Sequence, residues 1–271
     1  MPLPRISLVT PSFNQVAFLG QTLESVLSQG YPDLDYQVLD GGSTDGSKEL
    51  IARRAEALSF WRSSPDAGQA AALQEGCARA NGEIFGWLNS DDYLEPGALR
   101  AVGEEFARRP EVEIVYGDLR YVDPAGRRLF TAHLVLDLRI LAYESPYTAQ
   151  PAMFFRKRAV ERAGGIDAGK RFAMDFDLLV RLLLGGARAT KLRRLLANFR
   201  LHPSSKTSRL QAICDAEVAD TIRRHGLVRG GPLGRRSKRL LARGLRFLRD
   251  PRCLFTAVES RVRGVPPPPL P

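Results

Sequence analysis

The chain has 271 residues, 44% of them hydrophobic, long and apolar enough to bury a sizeable core, which excludes a wholly disordered protein. Its three cysteines, Cys77, Cys214 and Cys253, are odd in number and far apart, which argues against a disulfide framework or a zinc site and for a reducing compartment. The formal charge of +10 sits at one end: residues 223 to 263 hold 13 Lys and Arg against Asp250 and Glu259, a net of +11, whereas residues 1 to 222 hold 27 basic and 28 acidic side chains, a net of −1. In chain order, RISLVT reads as a short buried strand, FLGQTLESVLSQ as an amphipathic helix with Phe18, Leu19, Leu23, Val26 and Leu27 on one side, and DYQVLD as a second strand. SKELIARRAEAL predicts a helix with Ser47 as its cap, FWRSS a short strand, AGQAAALQEGCARA a helix, and EIFGWLN a strand. PGALRAVGEEFARR predicts a helix with Pro96 in its first turn, and EIVYGDLRYV a further strand.

Strands alternating with helices predict an α/β fold whose mainly parallel sheet is covered by helices on both faces. In such sheets ligands bind beyond the carboxyl ends of the strands. Strand one ends at TPSFN, strand two at DGGSTDGS, and a later strand at NSDD, so three polar loops should meet at one edge. Asp40, the last residue of strand two, is placed to accept a bond from a ring N–H or a ribose hydroxyl, while Ser43, Thr44 and Asp45 suit a loop and helix cap equally well. The adjacent Asp91 and Asp92 have no Lys or Arg within six residues. Two such carboxylates repel by several kcal/mol at intermediate dielectric, so they persist where a cation or a proton offsets the repulsion. Oxygen ligands suit Mg²⁺ or Mn²⁺ together with substrate phosphates; the structural alternative is a capping segment for the next helix.

Several spaced segments carry a resemblance: ISLVTPSFNQVAFLGQTLESVLSQGYPDLDYQVLDGGSTDGS, SPDAGQAAALQEGCARANGEIFGWLNSDD, VYGDLRYVD, QPAMFFRKRAVERAGGID and AMDFDLLVRL. Together, over residues 4 to 210, they resemble glycosyltransferase family 2, whose members have the GT-A fold. The resemblance implies an inverting, metal-dependent transferase using a nucleoside-diphosphate sugar, usually UDP-linked, with Mn²⁺ or Mg²⁺, in polysaccharide or glycolipid assembly. It matches Pro11, Phe13 and Asn14 to the first nucleotide-binding loop, Asp40 to the carboxylate that contacts base or ribose, and Asp66 and Gln69 to the donor pocket. Many relatives have a second Asp where this chain has Gly41, which loosens the expectation about the base. Asp91 and Asp92 match the DXD-type motif, with Asp92 expected as the metal ligand and Asp91 nearer the ribose.

Inversion needs a carboxylate that takes the proton from the acceptor hydroxyl. RFAMDFDLLVRLLLGG offers Asp175 and Asp177 at the start of an apolar helix. The resemblance aligns Asp175 with the catalytic base, with Met174 where relatives carry a Glu; Asp177 is assigned to the helix N-terminus. In FRLHPSSKTS, His202 resembles a position that contacts the metal or diphosphate in some relatives, with a satisfied structural histidine as the even alternative, and Lys206 is placed to meet phosphate oxygens. His133 and His225 are read as structural, and Trp61 and Trp87 as core.

Gly230, Gly231, Pro232 and Gly234 mark a boundary, giving a catalytic domain over 1–222 and a basic helical extension over 223–271 with a Pro-rich, extended end at VPPPPLP. In RRSKRLLARGLRFLRD a helical wheel gathers Leu240, Leu241, Leu245, Phe247 and Leu248 on one arc and Arg235, Arg236, Arg239, Arg243, Arg246 and Arg249 on the other. That pattern suits a helix on an anionic membrane surface, or one packed on the catalytic domain with its arginines in solvent; no motif supports nucleic acid. No run reaches the length of a membrane span and the apolar N-terminal run is broken by Pro11, so the expected setting is cytoplasmic or peripheral at the inner face of the membrane. Besides the donor, a sugar or lipid-linked acceptor is expected. Two rival readings are a sugar nucleotidyltransferase, disfavoured because TPSFNQ lacks both glycine and cation, and a non-catalytic scaffold that binds a nucleotide sugar.

Overall fold

The computed structural model describes residues 2–144, 148, 150–206, 210–228 and 231–262; the Pro-rich end lies outside them. Its strands are β1 (Ile6–Ser12), β2 (Leu34–Asp40), β3 (Phe60–Ser63), β4 (Ile84–Trp87), β5 (Tyr93–Leu94), β6 (Ile114–Val122), β7 (Arg128–Ala132), β8 (Met153–Arg156) and β9 (Ala189–Arg200). Its helices are α1 (Val16–Leu27), α2 (Ser47–Ala52), α3 (Gln69–Arg79), α4 (Ala98–Arg108), α5 (Leu138–Tyr143), α6 (Lys157–Arg162), α7 (Met174–Leu184), α8 (Gln211–Arg224), α9 (Pro232–Arg249) and α10 (Cys253–Val262).

One sheet runs β3-β2-β1-β4-β8-β6-β9-β5, with β7 paired to the edge of β6. The β3-β2-β1-β4 half is parallel, as the alternation predicts. The other half is mixed: β8 enters antiparallel between β4 and β6, and only β9 runs parallel to β6. All seven residues of β1 are buried, the signature of a strand covered on both faces. Its polar side chains are paired there: Ser7 Oγ donates to Asp35 Oδ2 at 2.6 Å, and the Thr10 and Tyr36 hydroxyls meet at 3.0 Å. Because Ser12 pairs with Asp40 and Asp40 with Ser63, the carboxyl ends of three strands are level, and the loops that follow open on one edge.

Two local expectations change. Ser47 is the first residue of α2 rather than its cap; Gly46, at φ 98°, precedes it, and Asp45 Oδ1 accepts the Ser47 N–H at 3.0 Å. The helix expected to reach Leu58 stops at Ala52 and gives way to a 3-10 turn over Ala55–Ala57. Trp87 is buried in the core against Phe155, and Trp61 packs at the margin of the core.

A charged cluster ties the end of the chain to the sheet. Lys191 Nζ lies 3.0 Å from Asp118 Oδ1 and 2.5 Å from Asp250 Oδ2, and Arg252 reaches both Asp118 and Asp250 at 2.9 Å. Burial alone would raise the Asp250 carboxyl, but hydrogen bonds from Arg252 and Lys191 outweigh it and hold it well below the usual range. Asp118 is lowered too, burial being overcome by contact with His133 and the charge on Lys191. Lys191→Met is expected to cost about 3 kcal/mol at pH 7, because it leaves two nearly buried carboxylates short of a cation. A carboxyl depressed in the folded state stabilises above its unfolded value near 4 and loses that contribution as the pH falls through the lowered value. Urea denaturation at pH 7 and pH 3 should therefore show the cost shrinking at the lower pH.

Candidate functional site

The loops at the carboxyl edge enclose a cavity of about 1060 Å³. Pro11, Phe13, Asn14, Asp66, Gln69, Asp91 and Asp175, all singled out from sequence, line it together. Asp40, Asp92 and His202 are not on its wall; Asp40 and Asp92 are bound into the interior, and His202 lies behind Asp91.

Asp40 is fully buried at the end of β2. Its Oδ2 accepts from Gly42 N, Ser43 N and Ser63 Oγ at 3.2, 2.9 and 2.7 Å, and its Oδ1 from Ser43 Oγ at 2.5 Å. With its lone pairs taken by its own loop, it braces that loop instead of facing a ring N–H or ribose. Asn14 completes the brace from the first loop: its N–H donates to Ser43 Oγ at 2.7 Å and its Oδ1 accepts from Thr44 N at 2.9 Å, at a φ of 51° that Asn tolerates. The two loops hold Gly41 between the exposed Phe13 ring and the Asp66 carboxylate, where a Cβ would come within 3.3 Å of both. Position 41 is thus an opening between an aromatic face and a carboxylate. Beside it, the buried Ser12 Oγ has no hydrogen-bond partner among the described residues.

The acid pair is split between interior and cleft. Asp92 turns inward, 1% exposed, where Oδ1 accepts from Arg200 N at 3.0 Å and Oδ2 from Asn89 Nδ2 at 3.3 Å. Burial first, and the Asp91 charge second, push its carboxyl well above the usual range. Asp92, expected as the metal ligand, is therefore part of the interior, and Asp91 is the member that faces the cleft. Arg200 brings a positive charge near the pair, but its guanidinium donates to backbone carbonyls, Asp91 O at 3.0 Å and Pro124 O at 2.8 Å, and sits 4.8 Å above the Phe18 ring, so its charge only partly counters the rise at Asp92. Arg200 arrives because β5, just after the acid pair, is paired with the end of β9.

His202 lies behind Asp91, with Nε2 3.0 Å from Asp91 Oδ2 and Nδ1 2.8 Å from Ser204 Oγ. The 3.0 Å contact is that of a hydrogen bond; two neighbouring ligands of an octahedral ion with bonds near 2.1 Å are also about 3.0 Å apart, so the same spacing would admit a cation edge. In the tautomer that donates from Nδ1 to Ser204, Nε2 offers a lone pair on the Asp91 side. No group of three His, Cys, Asp or Glu side chains converges among the described residues, so other positions on a cation would fall to phosphate oxygens and water. The donor set fits Mg²⁺ or Mn²⁺ shared with a substrate diphosphate. Next to it, Lys206 Nζ donates to Gln69 Oε1 at 2.7 Å and Arg171 O at 3.0 Å, and Gln69 Nε2 donates to Asn89 Oδ1 at 2.7 Å. Burial lowers the Lys206 ammonium below its usual value.

Asp175 opens α7 on the same cavity. Thr148 Oγ1 donates to its Oδ2 and Phe176 N to its Oδ1, the latter at 2.8 Å. Burial raises its carboxyl above the usual range despite these bonds. Asp177, in the first turn of α7, is off the cavity wall and pairs with Arg181 one turn on at 2.8 Å. Sequence reading missed Arg200, Thr148, Arg171 and Gln150, whose Nε2 donates to Trp87 O at 2.6 Å. For Arg200 a signal existed: Asn198, Arg200 and His202 alternate with Phe199 and Leu201, placing three polar side chains on one face of a strand end.

Residues 7–182 match the model of a family described as Glycosyl transferase family 2. Among curated relatives, the O-antigen biosynthesis protein RfbC of Myxococcus xanthus is 32% identical over 188 residues, which is 66% of this chain and 14% of that protein, so the chain spans a small part of its length. Among solved structures, the mannosyltransferase PcManGT of Pyrobaculum calidifontis, in complex with GDP-Man and Mn²⁺, superposes with a TM-score of 0.66 at 19% identity, over 98% of this chain and 77% of that one. S. aureus TarS 1-349 in complex with UDP-GlcNAc gives a TM-score of 0.63 at 14% identity, over 96% of this chain and 78% of that one. At these identities the likeness shows the fold, which is of the GT-A type.

Proposed function

From the membership of glycosyl transferase family 2, to which the chain belongs, we propose that it moves a sugar from a nucleoside-diphosphate donor, UDP-linked by preference, to an acceptor hydroxyl with inversion, in polysaccharide or glycolipid assembly. One observation carries the reading: Asp91 and the raised carboxyl of Asp175 line a single cleft large enough for a nucleotide sugar. The base lies against Phe13 in the opening left by Gly41, with Asp66 as acceptor for a ring N–H. Lys206 and Arg171 lie along the diphosphate. Asp91 and His202 would hold Mg²⁺ or Mn²⁺, which would supply charge neutralisation to the departing diphosphate.

Asp175 Oδ2 takes the proton of the acceptor hydroxyl as its oxygen bonds to the anomeric carbon, and the bond from that carbon to the diphosphate oxygen breaks with its electron pair. The hydrogen bonds from Thr148 and Phe176 fix the carboxylate while burial raises its proton affinity. Support for a UDP donor comes from the UDP-GlcNAc bound by one structural neighbour, whereas another binds GDP-Man. Incubation with UDP, GDP and TDP sugars plus Mn²⁺ tests the reading. Slow nucleoside-diphosphate release from one donor class, stopped by chelation, is the expected result; no release from any donor would leave a scaffold.

A further inference from the structure

At the basic end of the chain, apolar side chains lie on the outer side of the helices as well as on the side that meets the body. The side of α9 that meets the body carries Ala242, Leu245 and Phe247, and its arginines are ion-paired there: Arg243 to Glu144 and Arg249 to Asp137, each at 3.0 Å. On the outer side Leu233, Leu240, Leu241 and Leu248 are 61–83% exposed, a stripe at spacings of seven, one and seven residues. The helix that follows has an exposed apolar face of its own. In α10, Cys253, Thr256 and Ser260 are buried, while Leu254, Phe255, Val258 and Val262 are 50–81% exposed. Of the arc expected from sequence, Leu245 and Phe247 turn inward and the remaining leucines face out. The helix packs on the body, with Arg235 and Arg236 exposed to solvent and Arg243 and Arg249 ion-paired at its margin.

Eight large apolar side chains on two successive helices are more than the scattered exposure of a soluble surface. We propose that this outer face is a docking surface for an anionic lipid bilayer, with α9 and α10 lying in the interface plane. Charge selects the occupant. Residues 223 to 263 carry a net of +11, and Arg235, Arg236 and Lys238 of α9 and Arg261 of α10 are exposed, so an anionic headgroup layer is attracted while a second copy would bring like charges together. Among the described residues no helix is long and apolar enough to cross a membrane, so the contact is interfacial. The surface adjoins the cleft: α10 packs on β7, whose Phe130 lines the cavity, and α9 packs on α5, just before Thr148. A face so placed would present the cleft to acceptors held at the bilayer.

The inference stands apart from the transfer chemistry and its test reads binding alone. Full-length protein is co-sedimented with vesicles of phosphatidylcholine and of phosphatidylcholine with phosphatidylglycerol. Partition into the anionic vesicles is expected to be at least tenfold stronger and to weaken with salt. The combined variant L240E, L241E and L248E, with the wild-type circular dichroism and donor hydrolysis, is expected to lose at least tenfold in that partition, and F255E to lose part of it. Equal partition of wild type and the triple variant, or no preference for anionic vesicles, overturns the proposal. So does a wild-type dimer in light scattering that the triple variant converts to monomer without any vesicle binding.

Discussion

Asp175→Asn is expected to lower sugar transfer by about 10²–10⁴-fold, the range for removing a positioned general base. Affinity for the nucleotide sugar should stay within about threefold, because Asp175 acts on the acceptor and not on the donor's nucleotide. Asparagine keeps the size of the side chain and still accepts a bond from Phe176 N, so the fold should survive. The pH profile gives a second signature. Burial raises the Asp175 carboxyl, and only its deprotonated form can take a proton. Transfer should therefore fall as the pH drops through a value above the ordinary aspartate figure near 4, and that acid limb should be missing from the residual activity of the variant. Rates at saturating donor across the acid range measure both.

The next largest effect separates the two adjacent aspartates. Asp91→Asn is expected to weaken Mn²⁺ binding in the presence of UDP by about 100-fold, since Asp91 is the carboxylate that faces the cleft with His202 at its side. Asp92→Asn should leave that affinity within a few-fold and instead cost about 2 kcal/mol of stability, because the new amide cannot satisfy both Arg200 N and the Asn89 amide that Asp92 accepts from. Mn²⁺ titration by electron paramagnetic resonance, alongside thermal denaturation, reads the two effects. The opposite pattern, with metal affinity lost in the Asp92 variant alone, would return the ligand role to Asp92.

The sheet edge was legible because strand–helix alternation dictates where the loops open, and Phe13, Asn14, Asp66, Gln69, Asp91 and Asp175 gather there. What the sequence could not show is which way a carboxylate turns. Asp40 and Asp92 both end up satisfied by backbone N–H groups, and that choice rests on loop curvature at Gly42–Ser43 and on the β5–β9 pairing, neither of which a local pattern encodes. Arg200, 108 residues beyond Asp92, donates its backbone N–H to that carboxyl, a partner that the local sequence could not reveal. The mixed half of the sheet was equally hidden, since an antiparallel β8 between β4 and β6 has the same local periodicity as a parallel one. In α9 the wheel put five apolar residues on one arc, but the structure splits that arc, with Leu245 and Phe247 turned to the body and Leu240, Leu241 and Leu248 outward, and the acids at Asp137 and Glu144 draw Arg249 and Arg243 to the body side.

Central to the account is a donor that spans the cleft from Asp91 to Asp175. A crystal structure with Mn²⁺ and an intact analogue of the preferred donor measures this directly. The account predicts the cation bonded to Asp91 and the diphosphate, with the anomeric carbon turned toward Asp175. A cation held by Asp92, or a sugar directed out of the cleft away from Asp175, would contradict it.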